Sequence, residues 1–476
     1  MPKDNLLPLD FTRGVNLEAV ETRLAVGEWA EARNFLFERG VAVTRPGLTP
    51  STLTGFTGNI AYADSKPYGA TPYTVLLSSN GKVYKLVGTA CTELTGVTTS
   101  FGSAAYHNVE VVNGVLLIAN DTGGLIRWDP SGTTLTQLTA AKYRYVTSHL
   151  SRAVAAYDTN ASALLGPRTV GWSIAGDETA WAGAGSGSTC LSDAVDDITG
   201  LGVCHNVLVI LRRKGKHLGY ATGASSPAFR FENHTRSGIG CYYPGTASFD
   251  ANTAFYVGID DVYAFDLTTE APIGQNIRRE LLASLRAGCS YRGFISRVSG
   301  AEPRARYHLV CTSGQPPVPH YSYDIQSEAW SRHTYKDYQI QGGWQLISSA
   351  SSEVVALHSG ATPLQWSATA SLDTPAYVRS GVITVGSLGA EMALTRSLIR
   401  YCERTAGQLL LTVENGRESK VTLVPLMNED TYKWRRVWAD LRLTGQDFVV
   451  SLETKDHLAM DYLGLDVSPA GVYRNG

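Results

Sequence analysis

Between Val111 and Pro130 the chain reads VVNGVLLIANDTGGLIRWDP. Apolar residues crowd Val115 to Ala119, a turn-forming run follows at Asn120-Asp121-Thr122-Gly123-Gly124, and a second apolar run ends on Trp128-Asp129. This pattern predicts a β-hairpin. Two strands alone are marginal in water, so it also predicts a packing partner. The same order of apolar run, turn and aromatic residue recurs along the chain. It ends at Leu86 (with Tyr84 two places earlier), Trp128, Trp172, Tyr220, Phe265, Tyr323 and Trp366. Successive anchors lie 42, 44, 48, 45, 58 and 43 residues apart. The long interval contains the proline-bearing turn Ser313 to Pro319 and extra residues near Ser299 to Arg304.

A period of about 40–50 residues filled with strand-like pieces is a propeller signature. One blade of about four strands cannot cover both its faces, so blades stack radially. The expectation is an all-β chain with a β-propeller over residues 51–368, of about six to eight blades and seven as the best count. WD40 blades need a Gly-His element that is missing here. The run YSYDIQSEAWSRH from Tyr321 resembles a kelch blade end, but most repeats lack the kelch double glycine.

The ends differ from the middle. Residues 1–50 read as an N-terminal arm, with a short helix over Gly27 to Asn34, a strand over Gly40 to Thr44 and a turn at Arg45-Pro46-Gly47. From about 370 the anchor pattern stops. Longer alternating runs follow, one of them bent by the hairpin signal Asn415-Gly416. Six to eight strands over residues 369–476 predict a C-terminal β-sandwich. Aromatic and basic residues alternate over Lys433 to Arg442, which suggests tryptophans inward and arginines outward, with base stacking as the alternative.

Composition narrows the function. Of 476 residues 43% are hydrophobic and only 18% charged, against about 25% in an average chain. Twenty-four tyrosines and 47 glycines beside four methionines suit β structure. A net charge of −2 argues against a chain that binds nucleic acid through bulk basicity. Seven cysteines without a CxxC pair read as free thiols in a reducing compartment. The opening MPKDNLLPLDF has no secretory pattern, and no run reaches the ~18 apolar residues of a membrane helix. A soluble protein made in a cytoplasm is expected.

Catalytic motifs are missing: no HExxH, GxSxG, GxGxxG, phosphate-binding loop or sialidase-type box occurs. No metal, cofactor or catalytic residue is therefore expected. The carboxylates Asp193, Asp196, Asp197 and Asp260, Asp261 read as solvated turn residues, and His205 beside Cys204 as packing. The densest charge is Arg212, Arg213, Lys214, Lys216 and His217, on a predicted hairpin turn. It is either a solvated loop tip or a contact for phosphates or an acidic neighbouring subunit.

The N-terminal run RGVNL…VGEWAEARNFLFERGVAVTRPGL carries Gly27-Glu28, then Asn34, then Arg45-Pro46-Gly47. With a propeller, a terminal sandwich and Trp434-Arg435-Arg436-Val437-Trp438 before the last strands, it resembles the tail-nozzle, or packaged-DNA stabilisation, proteins of short-tailed bacteriophages. The resemblance implies a non-enzymatic virion protein, made in the bacterial cytoplasm and placed in the tail. It further implies a hexameric ring below the portal and adaptor, a channel for double-stranded DNA, and an outer surface for tail fibres or spikes. On this reading Arg212, Arg213, Lys214 and Lys216 face the channel or a neighbouring subunit. The rival is a propeller enzyme acting on polysaccharide with the sandwich as a binding module; a tail-fibre or spike component is a third reading.

Overall fold

The computed structural model describes residues 6–470 apart from 69–70, 98–105, 140, 225, 235–237, 299–303, 314–318, 348–353, 387–390, 404 and 427–432. Seven antiparallel sheets, each built on four strands, follow one another as blades over 60–94, 107–137, 143–190, 198–233, 248–272, 290–333 and 342–367. The first strand of each blade is its innermost. These inner strands touch in sequence, and Gly342–Leu346 meets Ile60–Tyr68 to close the ring. The protein is a seven-bladed β-propeller followed by a sandwich. Most of the inserted residues expected near Ser299 to Arg304 and in the turn Ser313 to Pro319 lie outside the described residues.

Every anchor falls on the third strand of its own blade, from Tyr84 and Leu86 in Val83–Val87 to Trp366 in Thr362–Ser367. The hairpin at Val111 is the middle of blade 2. Leu116, Ile118 and Trp128 pack against Val75 and Leu77 of blade 1, while Val115 and Leu117 meet Val146 and Ala153 of blade 3. Alternate residues thus feed two inter-blade cores, as the period of two along a strand requires.

The ring closes through the N-terminus. Gly47–Pro50 supplies the fourth strand of blade 7, with Leu48 opposite Trp366. Gly14–Val15 and Glu28–Trp29 extend blade 6 in parallel. Four more N-terminal strands enter the sandwich. One of its sheets holds Leu6–Leu9, Phe35–Glu38, Val41–Thr44, Met392–Glu403, Trp434–Gly445 and Leu458–Pro469. The other holds Glu31–Arg33, Ala376–Arg379, Ile383–Thr384, Gly407–Glu414, Ser419–Leu426 and Asp447–Thr454.

The expected helix over Gly27 to Asn34 is instead two short strands, Glu28–Trp29 and Glu31–Arg33. Gly27 and Asn34 have φ of 86° and 61°, outside the helical region. Trp29 and Ala32 are buried while their neighbours are partly exposed. The Trp29 indole stacks on Phe11 at 4.9 Å and donates to the Asp10 carbonyl. The strand expected near Gly40 is present as Val41–Thr44.

One buried guanidinium joins these parts. Arg45 is fully buried and pairs with Asp373. Its Nε donates to Asn34 Oδ1 at 2.9 Å, and its terminal nitrogens donate to the Pro46 and Thr334 carbonyls at 2.9 and 3.2 Å. Asn34 in turn donates to the carbonyls of Thr374 and Pro375. The N-terminal segment, the exit of blade 6 and the entry to the sandwich therefore share one polar knot. Beside it Gly47 has no space for a side chain, since a Cβ would collide with the Ala370 carbonyl.

Breaking one half of a buried pair leaves the other charge uncompensated, at a cost of about 3–5 kcal/mol. Asp373→Ala is expected to lower unfolding free energy by that amount, read from the denaturant midpoint. A change under about 1 kcal/mol contradicts the role given to Arg45.

Candidate functional site

The basic hairpin turns between Val207–Arg212 and Gly215–Ala221. Arg212 and Lys216 are 2% and 1% exposed. Arg212 bonds Asp196 at 2.8 Å, and the Lys214 backbone N–H donates to the same carboxylate at 2.7 Å. Lys216 reaches Glu270 at 2.6 Å and the Ile239 carbonyl at 3.3 Å, and lies over the Phe265 ring. His217 bonds Asp193 at 2.8 Å, and Arg213 comes within 4.0 Å of Asp197. The acidic run at 193–197 is thus the partner of the basic run at 212–217.

This corrects the sequence reading for Arg212 and Lys216, and for Asp196 as the partner of Arg212, while Asp193 is exposed as expected. Of the four cations, Arg213 and Lys214 are exposed, whereas Arg212 and Lys216 point into the protein. Burial pushes the Asp196 carboxyl up, but hydrogen bonds from Arg212 and Lys214 outweigh it and hold the group below its ordinary value. Burial pulls Lys216 down against the opposing pull of Glu270. None of the four lines the propeller bore.

The bore is a cavity of about 620 Å³ lined by the inner strands. Arg292 of blade 6 lies over the Tyr62 ring of blade 1 at 4.2 Å. Lys66 stands 3.5 Å from Asp64 and 3.7 Å from Glu110, and Arg297 bonds Asp250 at 2.6 Å. These three cations face three carboxylates, so the bore has no dominant sign. Its volume is that of a small-molecule pocket, about 300–1,000 Å³, and not that of a passage for duplex DNA.

Blade 6 contains a buried chain of histidines that the sequence reading passed over. His308 Nε2 meets Ser296 Oγ at 2.8 Å, His308 Nδ1 meets His320 Nε2 at 2.9 Å, and His320 Nδ1 meets the Tyr335 hydroxyl at 2.8 Å. His333 Nε2 meets Ser322 Oγ at 2.8 Å. His320 and His333 sit directly opposite each other on adjacent strands, the cross-strand signal that could have revealed them. Burial, then nearby histidines and Arg45, hold His320 far below its ordinary value; burial, then Arg45, does the same for His333. Sealed from solvent, the chain has the character of internal bracing.

Two surface features complete the inventory. Asp260 and Asp261 line a concavity of about 670 Å³ with Glu18, Glu28 and Arg278. Trp434 and Trp438 face outward, 43% and 39% exposed, contrary to the inward placement expected. Ala439, Leu441 and Leu443 take the core-facing positions of that strand, so strict alternation turns Trp434, Arg436 and Trp438 out. Arg435 turns toward buried Glu403 at 3.4 Å instead. The Arg396 and Arg400 guanidiniums lie over the Trp438 and Trp434 rings at 3.8 and 5.4 Å. Among the described residues, no cluster of three His, Cys, Asp or Glu has the placement to hold a metal ion, and no helix is long and apolar enough to cross a membrane. No disulfide joins any of the seven cysteines, all of which lie among the described residues.

No protein-family model matches the chain, and no curated protein matches it. Solved structures similar to it include BBS1N in complex with ARL6DN, at 11% identity and TM-score 0.43, covering 68% of this chain and 97% of that one. A chain of the mitotic checkpoint complex gives 10% and 0.41, with 68% and 94% covered. The computationally designed Ika8 protein gives 12% and 0.40, with 75% and 99% covered. The propeller follows from the sheet topology itself.

Two outcomes are expected. Lys216→Ala takes away the cation paired with Glu270 in a mostly buried place, leaving the Tyr256 hydroxyl bond, and should cost about 3 kcal/mol. Arg213→Gln with Lys214→Gln should stay within about 0.5 kcal/mol of the parent. Chemical unfolding of the two variants separates them; equal effects contradict the pairing. The histidines set a pH dependence. Held neutral in the fold, His320 and His333 take protons in the unfolded chain below its ordinary value of 6.5. Their contribution is complete above that pH and is lost as pH falls, by up to about 1.4 kcal/mol per pH unit each. Unfolding free energy should be flat from about pH 7 to 8 and fall between about 6.5 and 5. His320→Asn with His333→Asn should make that fall shallower; an unchanged slope contradicts the assignment.

Proposed function

We propose that this protein is a structural part of a bacteriophage virion, a tail nozzle that works as a ring below the portal and adaptor. The observation that carries this reading is the task of the N-terminal segment that bears the resemblance. Asn34, Arg45 and Gly47, the residues that stand out in the opening, meet at the knot between propeller and sandwich. A conduit for a pressurised genome needs scaffold that stays joined under load, and this segment supplies the joint.

The neutral, narrow bore supports a route for DNA between copies of the chain, along the axis of the ring. Contacts to the duplex there ignore sequence and weaken with salt. Six copies is the number the family implies. The near-neutral chain supports ring contacts that are individually weak and summed by closed symmetry. The outer surface is left for tail fibres or spikes, and the protein works by shape, without catalysis.

Phage particles assembled without this chain are the test. They should fill with DNA and then lose it, measured as genome copies retained per particle over hours. The purified chain should release no sugar from polysaccharide. Particles that lack the chain yet keep genome and infectivity contradict the reading.

A further inference from the structure

Two surfaces of the chain complement each other. The first is a ridge at the sandwich edge, where Ser419–Leu426 runs beside Trp434–Gly445. The Thr422 hydroxyl donates to the Asp440 carbonyl at 3.0 Å and ties the two strands together across the sheets. Along the ridge Val421, Leu423, Trp434 and Trp438 are all exposed, at 53%, 60%, 43% and 39%. Lys420, Arg436 and Arg442 are exposed around them; among the described residues Asp440 is the one exposed carboxylate of Trp434–Gly445, and Glu418 stands exposed just before Ser419–Leu426. An apolar centre with tryptophan and arginine is the composition of a protein-binding surface. Aliphatic side chains such as Val421 and Leu423 have no role against phosphates, which disfavours nucleic acid as the occupant.

The second surface is the concavity on blade 5. Its carboxylates Glu18, Glu28, Asp260 and Asp261 outnumber its one cation, Arg278. Three exposed aliphatic residues stand close to its lining in sequence: Val20 after Ala19, Ile259 before Asp260 and Val26 two places before Glu28, at 65%, 58% and 68% exposure. This face is concave, acidic and apolar where the ridge is convex, basic and apolar.

The geometry points to a head-to-tail contact in which the sandwich ridge of one copy seats on the blade 5 concavity of the next. It rests on the ring proposed above and names the surfaces that make it. Two different patches on one chain form a heterologous contact, which closes into a ring when the rotation allows. Opposite charges set the register and speed the encounter, and the apolar centres supply contact area.

Two full-length variants test it. One reverses the ridge, Arg436→Glu with Arg442→Glu; the other reverses the concavity, Glu28→Lys with Asp260→Lys. Thermal unfolding first establishes that both are folded. Leu423→Asp, at an exposed position, is a third variant that removes apolar contact without touching the cations. Sedimentation velocity over a concentration series at low salt reads association. Each variant alone should associate at least tenfold more weakly than the parent. An equimolar mixture of the two charge variants should recover association to within about threefold, because each reversed ridge then meets a reversed concavity. Raising salt should weaken the parent and the mixture alike.

Wild-type association in either charge variant alone, or no recovery on mixing, overturns this pairing of faces and leaves the nozzle reading standing. A parent chain that stays monomeric at every concentration and salt overturns the pairing as well. The nozzle reading falls separately, if particles lacking the chain hold their genome.

Discussion

The fold depends on a guanidinium that never meets water. Removing a charge from water costs several kcal/mol, and only good geometry with full hydrogen bonding repays it. Arg45 has both: a carboxylate from Asp373, the side-chain oxygen of Asn34 and two backbone carbonyls. Its partners come from positions 34, 46, 334 and 373, so the knot forms only when three distant stretches of chain are already in place. That requirement ties closure of the propeller to assembly of the sandwich. It also explains why the N-terminal 50 residues are shared out among blade 6, blade 7 and both sandwich sheets.

Much of the propeller was legible in the sequence because its physical cause is local. A blade repeats one hairpin unit, and a buried aromatic on the third strand fills the space between blades. Trp128, Trp172 and Phe265 announce that unit without help from distant residues. The N-terminal segment was harder to read. Its strands are two to four residues long, and several pair with partners more than 300 positions away, as Leu48 does with Trp366 and Ala32 with Val378. Glu28 to Arg33 contains residues that favour helix, and long-range pairing overrode that preference.

The charged motifs failed as a guide for a related reason. Arg212 to His217 looks like a cationic patch only while Asp193 to Asp197 is read as a separate acidic one. The fold lays one against the other, and the pair becomes bracing inside blade 4 with an extra tie to blade 5 through Lys216 and Glu270. Conversely Trp434 and Trp438 looked like core, because which face of a strand is buried depends on register, and a one-residue slip exchanges the faces. The surface features on which the proposed contact between copies rests were therefore the ones the linear pattern hid.

If the blades are scaffold and copies are joined by their outer surfaces, the assembled particle must carry its DNA outside the propeller bores. Cryo-electron microscopy of phage particles containing this chain tests it directly. The account predicts copies arranged around the tail axis, with DNA density running through the centre of the ring and none inside any propeller bore. DNA density threading a propeller, or the chain found as single copies off the tail axis, would contradict it.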